Sequence, residues 1–225
     1  MSSLLLRDLR MVANGEISPA QNFLFNEGSL IPYYGDFSSW SGKTINCQGF
    51  LGSKGWIDRR CGIGEPGLEY RETVESLCES LMVSGFSKAV VMPNTDPVIQ
   101  TKNEVDFLLS KSSKYSPCLE IMGAVTKNTL WEDFTEILDV HYQSGVRVFG
   151  EGVKPLSNSD RYMKALQYLQ RFDGILFDYA YDPLLGIFGQ MHEGEVSTQL
   201  GMKGIPNLAE DVAIQRNLEI LRYAG

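Results

Sequence analysis

The spacing of apolar positions changes partway along the chain. Up to residue 52 they come in short runs, SLLLRDLRMVA, NFLFNEGSLIPYYG and TINCQGFLG, broken by Gly, Asn and Ser without a helical period. That pattern predicts a small β unit over residues 1–52. From Gly55 onward strand-like runs alternate with helix-like ones. GWIDRRCG precedes YRETVESLCESLMVSG, in which Val74, Leu77, Cys78 and Leu81 fall at i, i+3, i+4 and i+7 and Gly85 marks the stop. The alternation repeats in FSKAVVMP and KNEVDFLLSKS, in CLEIMGAVT and LWEDFTEILDVHYQS, and in VRVFGEG and SDRYMKALQYLQRF. GILFDYA is followed by a long loop and then NLAEDVAIQRNLEILRYAG, where Ile214, Leu218 and Leu221 share a helix face.

Strands starting near positions 55, 87, 118, 146 and 174, each followed by a helix, predict an α/β region over residues 53–225 with a parallel sheet. The residues after Gly52 fall well short of the ~250 typical of a closed (β/α)8 barrel. An open doubly wound sheet or an incomplete barrel remains. A nucleotide binder of the first kind carries a glycine-rich phosphate loop after its first strand. Here that place reads RRCGIGEPG, and Glu65 and Pro66 are poor components of a phosphate cradle. Either open arrangement leaves an edge strand, so an oligomer is expected.

Composition narrows the chemistry. The chain has 225 residues, 43% of them hydrophobic, enough for a substantial core. No run approaches the ~18 apolar residues of a membrane span. The start MSSLLLRDLRMVANGE lacks the apolar length and flanks of a secretory signal, and a cytoplasmic protein is expected. A formal charge of −8 without a basic stripe argues against nucleic acid or an anionic membrane as partner. Cys47, Cys61, Cys78 and Cys118 form no CxxC pair and are expected as free, buried thiols. His141, ending a predicted helix, and His192, in a Gly-rich loop, have no His or Cys at ligand spacing, so both are expected to be structural or solvent-facing.

The most informative stretch is GWIDRRCGIGEPGLEYRETVESL. Together with VVMPNTDP, GAVT, GEGVKPLSN, YDPLL and EGEVSTQLGMKGIPNLAEDVAIQRNLEILRYAG it resembles the dihydroorotase branch of the amidohydrolase superfamily, from about Gly55 to Gly225. The resemblance implies a TIM-type (β/α)8 barrel, incomplete here at about five units. Residues 1–52 would belong to the β-sandwich that flanks the barrel. It also implies a zinc centre at the C-terminal strand ends and, in pyrimidine biosynthesis, the reversible cyclisation of carbamoyl aspartate to dihydroorotate.

Position by position, however, the family's chemistry is missing. The family pattern after the first barrel strand is Asp-x-His-x-His-x-Arg-Glu-Pro-Gly, with metal-binding histidines and a substrate-binding arginine. In this chain the three functional positions are Arg60, Gly62 and Gly64, while Asp58, Glu65, Pro66 and Gly67 are kept. The family's bridging aspartate falls at Gly150 or Glu151, and its next histidine at Tyr179. The last metal histidine and the catalytic aspartate would lie beyond Gly225. Asn94 of MPNT is the surviving substrate-binding position, although a turn role in PNTDP is the stronger reading.

A hydrolytic zinc needs about three or four protein ligands. Glu151, helped at most by Asp58 or Asp178, does not supply them, and Arg60 puts a positive charge where the cation would sit. No bound metal, no cofactor and no catalytic residue are therefore expected. Arg60 is expected to pair with Asp58 or Glu65. Two functional readings follow from the resemblance. In one, the chain is a pseudoenzyme, its fold kept as a partner surface in a homo-oligomer or with aspartate transcarbamoylase. In the other, it is a working dihydroorotase or cyclic amidohydrolase with an altered site completed by a further C-terminal half.

Overall fold

The computed structural model of the protein describes residues 3–37, 40–116 and 118–225, in two units divided between Gly55 and Trp56. The first is a six-stranded sheet of β1 (Leu4–Ala13), β2 (Glu16–Ile17), β3 (Gln21–Asn26), β4 (Ser29–Pro32), β5 (Lys43–Asn46) and β6 (Leu51–Gly52). Two tight hairpins shape it, at Asn14–Gly15 and Glu27–Gly28. All four of these residues have positive φ, as two-residue hairpin turns require. β5 and β6 run parallel to successive stretches of β1. Leu9, Phe23 and Cys47 form a small core.

The second unit carries the strand–helix alternation. Its strands β7 (Trp56–Cys61), β8 (Phe86–Val91), β9 (Cys118–Ala124), β10 (Val148–Gly150) and β11 (Ile175–Phe177) are all parallel, in the order β11-β10-β9-β8-β7. The helices are α1 (Val74–Val83), α2 (Lys102–Ser112), α3 (Ile137–Ser144), α4 (Ser159–Leu169), α5 (Glu195–Gln199) and α6 (Leu208–Ala224). A short parallel pair, β12 (Met191–His192) and β13 (Gly204–Ile205), brackets α5. Thr73 caps α1 through its side chain, and Thr101 with Glu104 forms a capping box on α2.

The sheet is apolar on both faces, as a parallel sheet must be when both are covered. Ala89, Val91, Leu119, Ile121 and Phe149 pack with the helices, and Val90, Met122 and Val148 form a separate cluster from the alternate positions. The fold is α/β with five strand–helix units of a TIM-type barrel. Among the described residues no helix is long and apolar enough to cross a membrane.

Two local expectations are corrected, and the placement of α6 is a finding of its own. The helix predicted from Trp131 begins only at Ile137. Asn128, Thr129 and Trp131 take positive φ, and Thr135 N–H returns to Val125 O at 3.0 Å, so the segment folds back on the end of β9 and buries the Trp131 ring. Cys118 is exposed at the start of β9, whereas the other three thiols are buried. On α6 the buried positions are Ala209, Ala213 and Asn217, and the predicted face of Ile214, Leu218 and Leu221 stays open. Small residues let α6 approach closely on one side and leave the larger apolar ones outside.

Candidate functional site

Parallel strands deliver their C-terminal ends to one rim, and the positions singled out in the sequence converge there. β7 ends on buried Cys61, which places Arg60 on the other side of the strand. The Arg60 guanidinium lies over the Tyr179 ring at 4.5 Å, and Nη2 donates to Gly152 O at 2.9 Å. One side chain thus ties the ends of β7, β10 and β11 together.

The expected side-chain pairing of Arg60 with Asp58 or Glu65 is replaced by these contacts. Asp58 Oδ1 accepts the Arg60 backbone N–H at 2.8 Å. Glu65 is buried, accepts the Val74 N–H at the start of α1 at 2.9 Å, and forms an ion pair with Lys111. Retention of Glu65 therefore has a structural cause: it satisfies a helix-terminal donor that would otherwise be unpaired.

Asn94 follows β8 and spends both ends of its amide on the loop after β10. Nδ2 donates to Glu151 O at 3.2 Å, and Oδ1 accepts from Val153 N at 3.0 Å. The loop passes so close that a Cβ on Gly152, whose φ is +59°, would lie 1.7 Å from Asn94 Oδ1. Asn94→Ala removes both hydrogen bonds and is expected to cost about 1–3 kcal/mol, read as a lower urea midpoint with unchanged slope. Beside Asn94 is a cleft of about 320 Å³ lined by Gly62, Gly64, Arg71, Glu72, Met92 and Val153.

Glu151 directly follows β10 and is 2% exposed. Its Oε1 accepts from the Thr126 N–H and hydroxyl, both at 2.7 Å, and the Thr126 oxygen accepts the Trp131 N–H at 2.8 Å. Oε2 is buried without a hydrogen-bond partner. Burial pushes the Glu151 carboxyl up to about 7, against the lowering effect of the Thr126 bonds and of Lys154. The signal legible in the sequence was a carboxylate placed directly after the apolar run VRVFG. Its link to Thr126 was not visible there.

Asp178 is likewise raised, first by burial, while hydrogen bonds from Asn217 and the Tyr179 N–H and the charges of Arg216 and Arg60 act in the lowering direction. Its Oδ1 has no partner. Tyr179 stacks with Tyr181 at 5.9 Å. Burial, with Asp58 and Glu72 adding to it, holds the Cys61 thiol up at about 11, which makes it a poor nucleophile at neutral pH. Of the histidines, His141 stacks on Phe172 at 4.0 Å with Nδ1 2.8 Å from Val146 O, and His192 lies in β12.

The residues present do not fit the family's zinc. Among the described residues no three His, Cys, Asp or Glu side chains group so as to hold a metal ion. Among the described residues, the buried side-chain oxygens without a hydrogen-bond partner are Glu151 Oε2 and Asp178 Oδ1, and the Arg60 charge acts on Asp178. At the rim, burial raises the Glu151 carboxyl to about 7, and the Arg60 guanidinium is engaged by the Tyr179 ring and the Gly152 carbonyl.

No protein-family model matches the chain. It is 31% identical over 204 residues to a dihydroorotase of Acetivibrio thermocellus, a stretch covering 90% of this chain and 47% of that protein. It is 33% identical over 185 residues to a dihydroorotase of Syntrophus aciditrophicus, covering 81% and 43%. In three dimensions it is similar to the L-hydantoinase (dihydropyrimidinase) from Arthrobacter aurescens, with a TM-score of 0.76 at 17% identity over 100% of this chain and 51% of that one. A crystal structure of a dihydroorotase aligns with a TM-score of 0.56 at 10% identity, over 98% and 63%. The chain spans about half the length of the curated relatives it matches.

Proposed function

Because the chain belongs to the dihydroorotase-like amidohydrolases, we propose that it is a member which has lost the family's chemistry and keeps the fold as a partner-binding body. Its cellular setting is the cytoplasm, and aspartate transcarbamoylase is the favoured partner. The observation that carries this reading is Arg60. Where the family has a metal-binding imidazole, this chain has a fixed cation clamped between the Tyr179 ring and Gly152 O. A metal at about 4 Å would meet repulsion of about 4 kcal/mol per unit of its charge at an effective dielectric of about 20. Gly62 and Gly64 supply no ligand or anion-binding group in place of the family's histidine and arginine.

One observation favours a different reading, an active cyclic amidohydrolase with an altered site. Burial raises the Glu151 carboxyl to about 7 and leaves its buried Oε2 without a partner, a state suited to proton transfer. The two readings separate in one experiment on the purified protein: metal analysis together with conversion of carbamoyl aspartate to dihydroorotate, with and without chelator. The proposal expects sub-stoichiometric zinc and no turnover above background. Turnover abolished by chelator would establish the alternative. Co-sedimentation with purified aspartate transcarbamoylase tests the partner separately.

A further inference from the structure

Behind the ends of β10 and β11, on the side of the helices, polar groups collect in the interior. Gly150 and Phe177 lie opposite each other in this parallel pair. Val148 and Phe177 belong to one apolar cluster, whereas Phe149 and Leu176 pack with the helices. Alternation therefore turns Glu151 and Asp178, the next residue on each strand, toward the helix layer. The Trp131 ring is 5.8 Å from that of Tyr162 on α4, and the charges of Asp178 and Arg216 both act on Tyr162. Asn217 joins the last two, donating to Asp178 Oδ2 and accepting from Arg216 Nε at 2.9 Å. Four side-chain atoms of this layer are buried without a partner: Glu151 Oε2, Asp178 Oδ1, Trp131 Nε1 and Arg216 Nη2. Among the described residues two others are in that state, so the unpaired atoms are concentrated here. Glu151 and Trp131 are themselves 2% and 3% exposed.

We propose that this layer is an internal water-binding site, in which water joins Glu151 beyond β10 to Asp178 beyond β11 and accepts the Trp131 and Arg216 N–H groups. The chemistry of the four atoms selects the occupant. Two offer an N–H and two offer oxygen lone pairs, while a water molecule donates two hydrogen bonds and accepts two. A metal or ammonium ion would face two N–H donors, one of them on a guanidinium, and an anion would face two carboxyls. Buried waters occupy such places, making about three hydrogen bonds to groups that otherwise lack a partner. Leaving all four atoms unpaired forfeits the hydration of each, which outweighs the entropy lost in holding a water. The described segments already enclose these atoms.

This inference does not depend on whether the rim is catalytic, and its test reads the water directly. A crystal structure of the unmodified protein, at a resolution that shows ordered solvent, is expected to place one water, or two in contact, within about 3.2 Å of all four atoms. In solution, a rotating-frame Overhauser cross-peak is expected between water and the Trp131 indole proton. Its sign, opposite to the diagonal, distinguishes proximity from proton exchange. Trp131→Phe assigns the peak by removing it, and if that variant does not fold, the crystal alone decides. A crystal in which Arg216 Nη2 bonds Asp178 Oδ1 directly, or in which an ion or a larger molecule fills the layer, overturns the proposal. So does a layer without water, or an indole proton with no through-space contact to water.

Discussion

Placing arginine at position 64, where the resembled family carries its substrate arginine, is expected to cost about 4 kcal/mol or more, a large share of the stability of an ordinary domain. The cause is backbone proximity. Gly64 N–H donates to Glu72 O at 3.1 Å, and Gly64 O accepts from Leu68 N at 2.7 Å, so the segment between β7 and α1 closes on itself at this residue. A Cβ there would lie 2.2 Å from Leu68 O and 2.8 Å from Glu72 O, and backbone atoms cannot rotate away. Gly64→Ala already meets that collision, so it carries the test without the bulk of the arginine.

Gly62→His is the contrast. A Cβ at position 62 has only Met92 Cε within 4 Å, at 3.9 Å, and the substitution is expected to change stability by less than about 1 kcal/mol. Urea midpoints of the two variants decide the matter. A Gly64→Ala protein as stable as the unmodified chain would show that the segment yields easily. The functional consequence is that the family's arginine cannot be regained by one substitution, because the backbone has closed over its place.

Glu151→Gln is expected to stabilise the protein at alkaline pH and to be neutral in acid. The folded state raises this carboxyl from its ordinary 4.5 to about 7, so between those values the native protein holds a proton that the unfolded chain has released. Native stability must then fall as pH rises through this window and level off above about 7. The full difference corresponds to about 3 kcal/mol. Glutamine keeps an oxygen for the two Thr126 bonds and carries no charge to bury. Its advantage should be near zero below about pH 4.5 and approach about 3 kcal/mol above about pH 7. Denaturant titrations of both proteins at several pH values check this. Parallel curves across the window would mean that the Glu151 charge is solvated in the folded state.

Much of the fold was legible because its determinants are local. Val74, Leu77, Cys78 and Leu81 mark the buried side of α1 through a spacing that the helix itself imposes, and all four are buried. Likewise AVV in β8 and VFG in β10 read as strands buried on both faces. The rim positions were legible as a set, since each follows an apolar run and parallel strands end together. What those residues do there was decided by partners far away in sequence. Arg60 reaches Gly152, 92 positions on, and Glu151 owes its buried, half-satisfied state to Thr126, 25 positions earlier.

Position 64 shows the same division. Its glycine reads in the sequence as a lost arginine, and only the crossing of Leu68 and Glu72 makes a side chain impossible there. The apolar period of α6 was correct as a period. It could not say which of two adjacent stripes faces the body, because that depends on how closely small residues such as Ala209 and Ala213 allow α6 to approach. Sequence periodicity determines which elements form, through interactions within a few residues. Charge placement, carboxyl burial and the space open to a side chain are properties of distant chain segments brought together, and only the tertiary structure decided them.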